Sequence, residues 1–199
     1  MENIRTLSVE ELGIDNEIET SILILNNIIQ ESIYQKNVFT TLEQELDISK
    51  NYLTLMQLRY SDIQINWDID NSLLSYAVFK FSIQPILENC FSHAFTLACS
   101  SPNKITISAF RANKNCMCIR IEDNGRGMDR ETYARINDQL SSIYNDGENA
   151  HIGIYNVHKR ITTVFGSEFG IKIFPKAQGL VVEIDYPCLS LPPAPTDRL

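Results

Sequence analysis

Cysteine is sparse in this chain and never arranged for metal binding. The five cysteines (Cys90, Cys99, Cys116, Cys118 and Cys188) form no CxxC pair. Cys116 and Cys118 are expected to point to opposite faces of a strand, and an odd count without zinc-like spacing reads as reduced thiols of a cytoplasmic chain. Basic charge is also short. Seventeen Lys and Arg face 25 Asp and Glu, a net charge of −8. With no basic stripe to neutralise phosphates, nucleic acid and anionic membrane are poor partners. Long apolar runs are missing too. The longest, "SILILNNIIQ", is broken by Asn26 and Asn27, well short of the roughly 20 residues of a membrane span. Met1 to Gly13 carries no signal-peptide pattern. What remains is an ordinary globular composition, 44% hydrophobic and 21% charged over 199 residues. That is enough for one core, or a core with an appended helical element.

Periodicity divides the chain. Apolar residues at 18, 22, 25, 29 and 33 predict a helix over 17–34. A second helix over 40–59 opens with a capping-box signature, Thr40 and Glu43, and draws its apolar face from Leu42, Leu46, Tyr52, Leu53, Met56 and Leu58. The two read as a helical hairpin, part of one core or a stalk before a domain. After Tyr60 strands appear: "IQINWDI" alternates over 63–69, "KITISAFR" covers 104–111 and "NCMCIRIED" covers 115–123. A helix is predicted over 81–99, with Pro85 confined to its first turn. A shorter helix starts at Asp129, a polar loop covers 141–151, and a helix from Ile152 is closed by Gly166. "GIKIFP" and "GLVVEIDYP" make a last strand pair, and "LPPAPTDRL" a flexible tail. Short links between strands favour an antiparallel or mixed sheet with helices on one face, an α+β sandwich.

Three stretches could carry chemistry. On the helix at 81–99, Asn89 and His93 are four apart and share a face, with Glu88 and Ser92 beside it. Such a face is solvated surface or a site; an Asn oxygen can ligate Mg²⁺, and a neighbouring Glu can orient or deprotonate a nucleophile. In "EDNGRGMD" (122–129) a strand delivers Asp123 beside Gly125 and Gly127, where a ligand could approach the main chain. Taken alone, that stretch reads as a plain Asn124-Gly125 turn. In "NAHIGIYNVHKRI" a glycine near a helix start can present N–H groups to phosphate.

In this order the three stretches resemble the GHKL (Bergerat-fold) ATP-binding domain shared by histidine kinases, type II topoisomerase ATPase subunits, Hsp90 and MutL. "QPILENCFSHA" resembles the N box, "EDNGRGMD" the G1 box Asp-x-Gly-x-Gly, and "HIGIYNVHKRI" the G2 region. The likeness is to the catalytic domain of LytS/YesM-type sensor kinases and runs from about Val38 to Pro187, with "TLEQELDISKNYLTLMQLRY" resembling the helix that leads into it. The resemblance implies a two-layer α+β sandwich with a mixed, mostly antiparallel sheet. It implies a helical hairpin over 1–59, the ATPase domain over 60–188 and the tail over 189–199. It also implies ATP and Mg²⁺ as ligands. Asp123 would receive the adenine amino group, and Gly125 and Gly127 would let the nucleotide pack against the chain. Met128, Ile152 and Ile154 would line the nucleotide, and Asn89 would hold Mg²⁺. Glu88 would take the general-base position, His93, His151 and Gly153 would flank phosphate, and 140–151 would form the ATP lid.

The chain departs from the pattern at two points. Ser92 stands where the subgroup has Lys, and His151 where it has the first Gly of Gly-x-Gly. A Pro-His-Phe-Leu-Phe-Asn phosphoacceptor motif does not occur in this sequence. The expectation is therefore the catalytic fragment of a membrane-anchored, homodimeric sensor. It would pass phosphate from ATP to a histidine outside this chain and on to a response-regulator receiver domain. A degenerate signalling module with weak nucleotide binding is the alternative.

Overall fold

A computed structural model of the chain describes residues 38–60, 62–95, 102–141 and 152–191. In chain order the elements begin with β1 (Phe39–Thr41), α1 (Leu42–Arg59), β2 (Gln64–Ile69) and β3 (Ala77–Phe79). Next comes α2 (Gln84–Asn89), which runs on as a π-helical turn over Cys90–Ala94. Then follow β4 (Lys104–Arg111), β5 (Cys116–Asp123), α3 (Arg130–Ser141), α4 (Ile152–Phe165), β6 (Gly170–Pro175) and β7 (Leu180–Pro187). The main sheet has the order β2-β4-β5-β7-β6, and β1 pairs with β3 in a two-stranded sheet. β2 lies parallel to β4, and the remaining neighbours in the main sheet are antiparallel. This is the α+β sandwich the residue pattern called for.

Strand alternation sorts the sheet into two faces. Ile107, Ile121 and Val182 stand opposite one another across three strands, as do Ala109, Ile119 and Ile184; all are buried. The other face carries cross-strand ion pairs, Arg120 with Glu183 at 2.6 Å and Lys172 with Asp185 at 2.7 Å. One face therefore holds the core and the other meets water. Cys116 and Cys118 share the outer side, contrary to expectation, because residues two apart in a strand of period two point the same way.

α1 belongs to this core. Leu42, Leu46 and Leu53 are buried with the sheet's isoleucines, whereas Leu58, expected on the apolar face, falls off that stripe and is 80% exposed. The capping box lies one residue later than expected. Thr41 accepts from the N–H of Gln44 at 3.2 Å, and Gln44, not Glu43, closes the box. Thr40 is drawn instead into β1, a strand too short to show in periodicity. At α3, Asp129 caps by accepting from the N–H and hydroxyl of Thr132, each at 2.8 Å. α4 ends as expected, with Gly166 at φ 104° donating to the carbonyl of Thr162. His158 on α4 is half-buried, and its Nδ1 accepts from the N–H of Ile171 at 2.9 Å, tying α4 to β6. The expected helix 17–34, loop residues 142–151 and tail residues 192–199 lie outside the described residues.

Candidate functional site

β5 ends on its core face with Asp123, opposite Ile105, and only 6% of the residue is exposed. Burial raises its carboxyl above the ordinary range, against the opposing pull of the Gly125 and Leu180 N–H groups. The Gly125 N–H donates to Asp123 Oδ1 at 2.8 Å. The loop that follows is stitched on both sides. Asn124 Oδ1 accepts from the N–H of Lys104 at 2.7 Å, and Asn124 Nδ2 donates to the Pro102 carbonyl at 3.0 Å. The Arg126 N–H donates to the Ala94 carbonyl at 3.0 Å, which joins the loop to the end of the π-helical turn. A free Asn-Gly turn would need none of this.

The glycines answer to the protein's own packing. A Cβ on Gly125 would overlap Ala94 Cβ and lie 2.5 Å from Ala94 O. Gly127 has φ 74°, a region costly for side-chain-bearing residues. A Cβ on Gly153 would come within 3.0 Å of Pro85 at the start of α2. Gly179, in the β6–β7 hairpin, presses on the main chain of Asp123; a Cβ there would lie 2.7 Å from Asp123 C and closer still to its carbonyl oxygen.

The helix predicted over 81–99 is shorter than its pattern. It begins at Gln84 with Pro85 in the first turn, and ends at Ala94 in a turn where the Phe95 N–H reaches back five residues to the Cys90 carbonyl. Such π-turns wherever they occur re-aim a helix face, often at a functional site. Here Asn89 and His93 line a cavity of about 60 Å³ together with Asp123. Its walls are Ile86, Cys90, Ala94, Ile121, Met128, Ile136, Ile154, Leu180 and Val182, with Gly127 at the edge. Apolar walls around one buried carboxylate suit a flat heteroaromatic ring bearing an exocyclic amine.

Of the residues named from sequence, Asn89, His93, Asp123, Gly127, Met128 and Ile154 meet at this cavity. Gly125 does not line it but packs on Ala94, which does. Glu88 does not line it; it is exposed, accepting from Gln84 Nε2 at 2.9 Å. Ser92 is exposed as well, His151 lies outside the described residues, and Ile152 enters only as the first residue of α4. Among the described lining residues there is no Lys or Arg. The walls from β7, Leu180 and Val182, and Ile136 from α3 were missed, although strand alternation already placed Val182 on the core side. A larger open cleft of about 680 Å³ lies between α3, α4 and β6 but contains neither Asp123 nor Asn89. No helix among the described residues is long and apolar enough to cross a membrane.

Residues 80–189 match the family described as histidine kinase-, DNA gyrase B-, and HSP90-like ATPase, and residues 1–64 match the histidine kinase family. The chain is 33% identical over 169 residues to the sensor histidine kinase YesM of Bacillus subtilis, which spans 82% of this chain and 26% of YesM. It is 30% identical over 153 residues to the sensor protein LytS of Staphylococcus saprophyticus, covering 76% of this chain and 25% of LytS. The chain thus spans about a quarter of the length of these curated relatives. Among solved structures, the fold is similar to the histidine kinase domain of a blue-light activated histidine kinase from Erythrobacter litoralis, with a TM-score of 0.54 at 15% identity, covering 80% of this chain and 68% of that one. It is also similar to the mycobacterial sensor histidine kinase MprB, with a TM-score of 0.53 at 13% identity, covering 77% and 98%. A buried Asp at the end of a central strand, lining an apolar cavity that an Asn also lines, sits within a matched region covering more than half of the sequence: the chain belongs to the histidine kinase-, DNA gyrase B- and HSP90-like ATPase family.

Proposed function

We propose that this chain is the ATP-binding catalytic part of a two-component sensor histidine kinase. The observation that carries the reading is Asp123, a buried carboxylate lining an apolar cavity that Asn89 also lines. Asp123 accepts the adenine amino group, and Ile121, Met128, Ile154 and Val182 enclose the ring. Asn89 offers its side-chain oxygen to Mg²⁺ at the phosphate end, His93 stands beside it, and Glu88, held by Gln84, faces the incoming acceptor from the exposed side. Bound Mg²⁺·ATP supplies the γ-phosphoryl group, transferred to a histidine outside this chain and then to a response-regulator receiver domain. Catalysis of this kind is mainly positioning and neutralisation of charge. His151, Ile152 and Gly153 lead into α4 beside the phosphates, with 140–151 as the lid.

The same reading assigns 1–59 to a dimerising hairpin whose second helix, α1, packs into the core of the ATPase domain at 60–188, and 189–199 to a tail. It places the chain on the cytoplasmic side of a membrane-anchored homodimer. One observation favours a second reading, a degenerate signalling module: the cavity offers phosphate no Lys or Arg among its described lining residues.

Calorimetric titration with a non-hydrolysable ATP analogue, with and without Mg²⁺, separates the two. Mg²⁺-dependent binding, weakened at least about tenfold in Asp123→Asn by loss of the charged acceptor, supports the kinase site. A folded chain that binds no analogue at millimolar concentration rejects it for the signalling module.

A further inference from the structure

α2 starts at an unusual joint. Phe81, just before it, has φ 57°, a left-handed conformation rare for a bulky side chain. With that twist, three successive N–H groups turn toward one point. Successive main-chain N–H groups in such a turn form a nest for an anion. The anion here is the chain's own. Glu45, on α1 and 1% exposed, accepts from the Phe81 N–H through Oε2 at 3.0 Å. Through Oε1 it accepts from Ser82 at 2.8 Å and Ile83 at 3.0 Å. Hydrogen bonds to an ionised acceptor are about twice as strong as neutral ones, and a buried carboxylate is tolerated when its oxygens are filled in this way.

The joint is held from a second side. Arg160 on α4 donates to the Lys80 carbonyl at 3.3 Å and stacks over the Phe79 ring at 4.7 Å. Asn89 lies six residues beyond Ile83, about 9 Å along the helix. The first turn of α2 therefore sets where the Asn89 side chain meets the cavity. Asp123 is held mainly by β5 and the hairpin carrying Gly179, with the loop after it also bonded to Ala94 at the far end of the turn from the joint.

We infer that Glu45 is a positioning residue for nucleotide use. Its carboxylate locks α1 to the start of α2 and so places Asn89 at the phosphate end of the site, with a smaller effect on the adenine end, where Asp123, Ile121, Met128, Ile154, Leu180 and Val182 come from other elements. The inference rests on the ATP reading above. A glutamine at 45 accepts two of the three N–H groups and turns an N–H₂ donor toward the third, so the joint loosens without losing its shape.

The test uses the 199-residue chain and its Glu45→Gln, Asn89→Ala and doubly substituted variants. Each is titrated with Mg²⁺ and a non-hydrolysable ATP analogue, and separately with adenosine, after thermal unfolding has shown it folded. Glu45→Gln is expected to weaken the Mg²⁺–analogue complex about tenfold, the worth of one charge-assisted bond, and to weaken adenosine binding several-fold less. In the Asn89→Ala background the same change costs nothing further, since residues acting through one another are not additive. Equal weakening of both ligands, additive losses, or wild-type behaviour of Glu45→Gln overturns the inference while leaving the ATP site standing. Wild-type protein that binds no analogue overturns the ATP reading itself. If Glu45→Gln does not fold, Glu45→Asp, which keeps the charge but falls short by one methylene, is read by the same criteria. Amide exchange in the unsubstituted chain needs no variant: the Ser82 and Ile83 N–H groups are expected to exchange as slowly as those of β5, and fast exchange refutes the joint.

Discussion

Gly125→Ala separates two explanations of the same glycine. If the position is bare so that a nucleotide can approach, an added methyl costs binding and leaves the empty protein alone. The structure points the other way. The new Cβ would lie 2.5 Å from Ala94 O and 2.7 Å from Ala94 C, about 1 Å inside ordinary van der Waals separation. These are main-chain atoms of the turn that ends α2, so a side-chain rotation cannot relieve the overlap. Overpacking of this kind costs roughly 1–3 kcal/mol. Moving the loop away also breaks the bond from the Arg126 N–H to the Ala94 carbonyl, worth about 1 kcal/mol. The reduced freedom of alanine in the unfolded chain returns about 0.4–1 kcal/mol. A net loss of roughly 2 kcal/mol lowers Tm by roughly 4–8 °C for a domain of this size. Thermal unfolding of the ligand-free chain, followed by circular dichroism, reads it directly. A Tm within 1 °C of wild type, with analogue binding lost, would refute the packing argument and return the glycine to the nucleotide.

Asp123→Asn tests the buried carboxyl. Its pKa is raised in the folded protein, so the stability it contributes is full below the ordinary carboxylate value and is lost as pH rises through the raised one. The Asn variant is therefore expected to be more stable than wild type at pH 7, with the gap closing toward pH 4; urea midpoints across that range check it, and a gap independent of pH argues against it. Leu53→Ala on α1 removes a side chain only 1% exposed and should cost about 2–5 kcal/mol. Leu58→Ala, at a position 80% exposed, should stay within about 0.5 kcal/mol, and equal effects in denaturant unfolding would remove α1 from the core.

The elements that could be read from residues are those whose signal is local and repeated. β4, β5, β7 and α4 alternate or cycle over enough residues to declare themselves, and Gly166 marks its helix end unaided. The three motif stretches were legible because residue type and order carry them. What escaped depends on a neighbour distant in sequence. β1 and β3 are three residues each and exist only as a pair. The helix over 81–99 stops early because its end is bonded to the loop at Gly125 and Arg126, some thirty residues on. Glu45 looks like any surface glutamate of an amphipathic helix until Phe81, Ser82 and Ile83 are brought to it. The face shared by Cys116 and Cys118 was within reach of strand parity alone.

The placement of β7 bears on how the protein is made. Leu180 and Val182, two walls of the cavity, are synthesised well after Asn89 and Asp123, and β5 gains its second neighbour only when they arrive. A chain halted before residue 180 has Asp123 and Asn89 already synthesised, yet one edge of β5 is still without its β7 partner. Domains fold as units, and a ligand stabilises only the state that binds it. Whatever ligand the cavity takes therefore stabilises the sheet only once β7 has paired with β5, and does nothing for a chain halted before that strand.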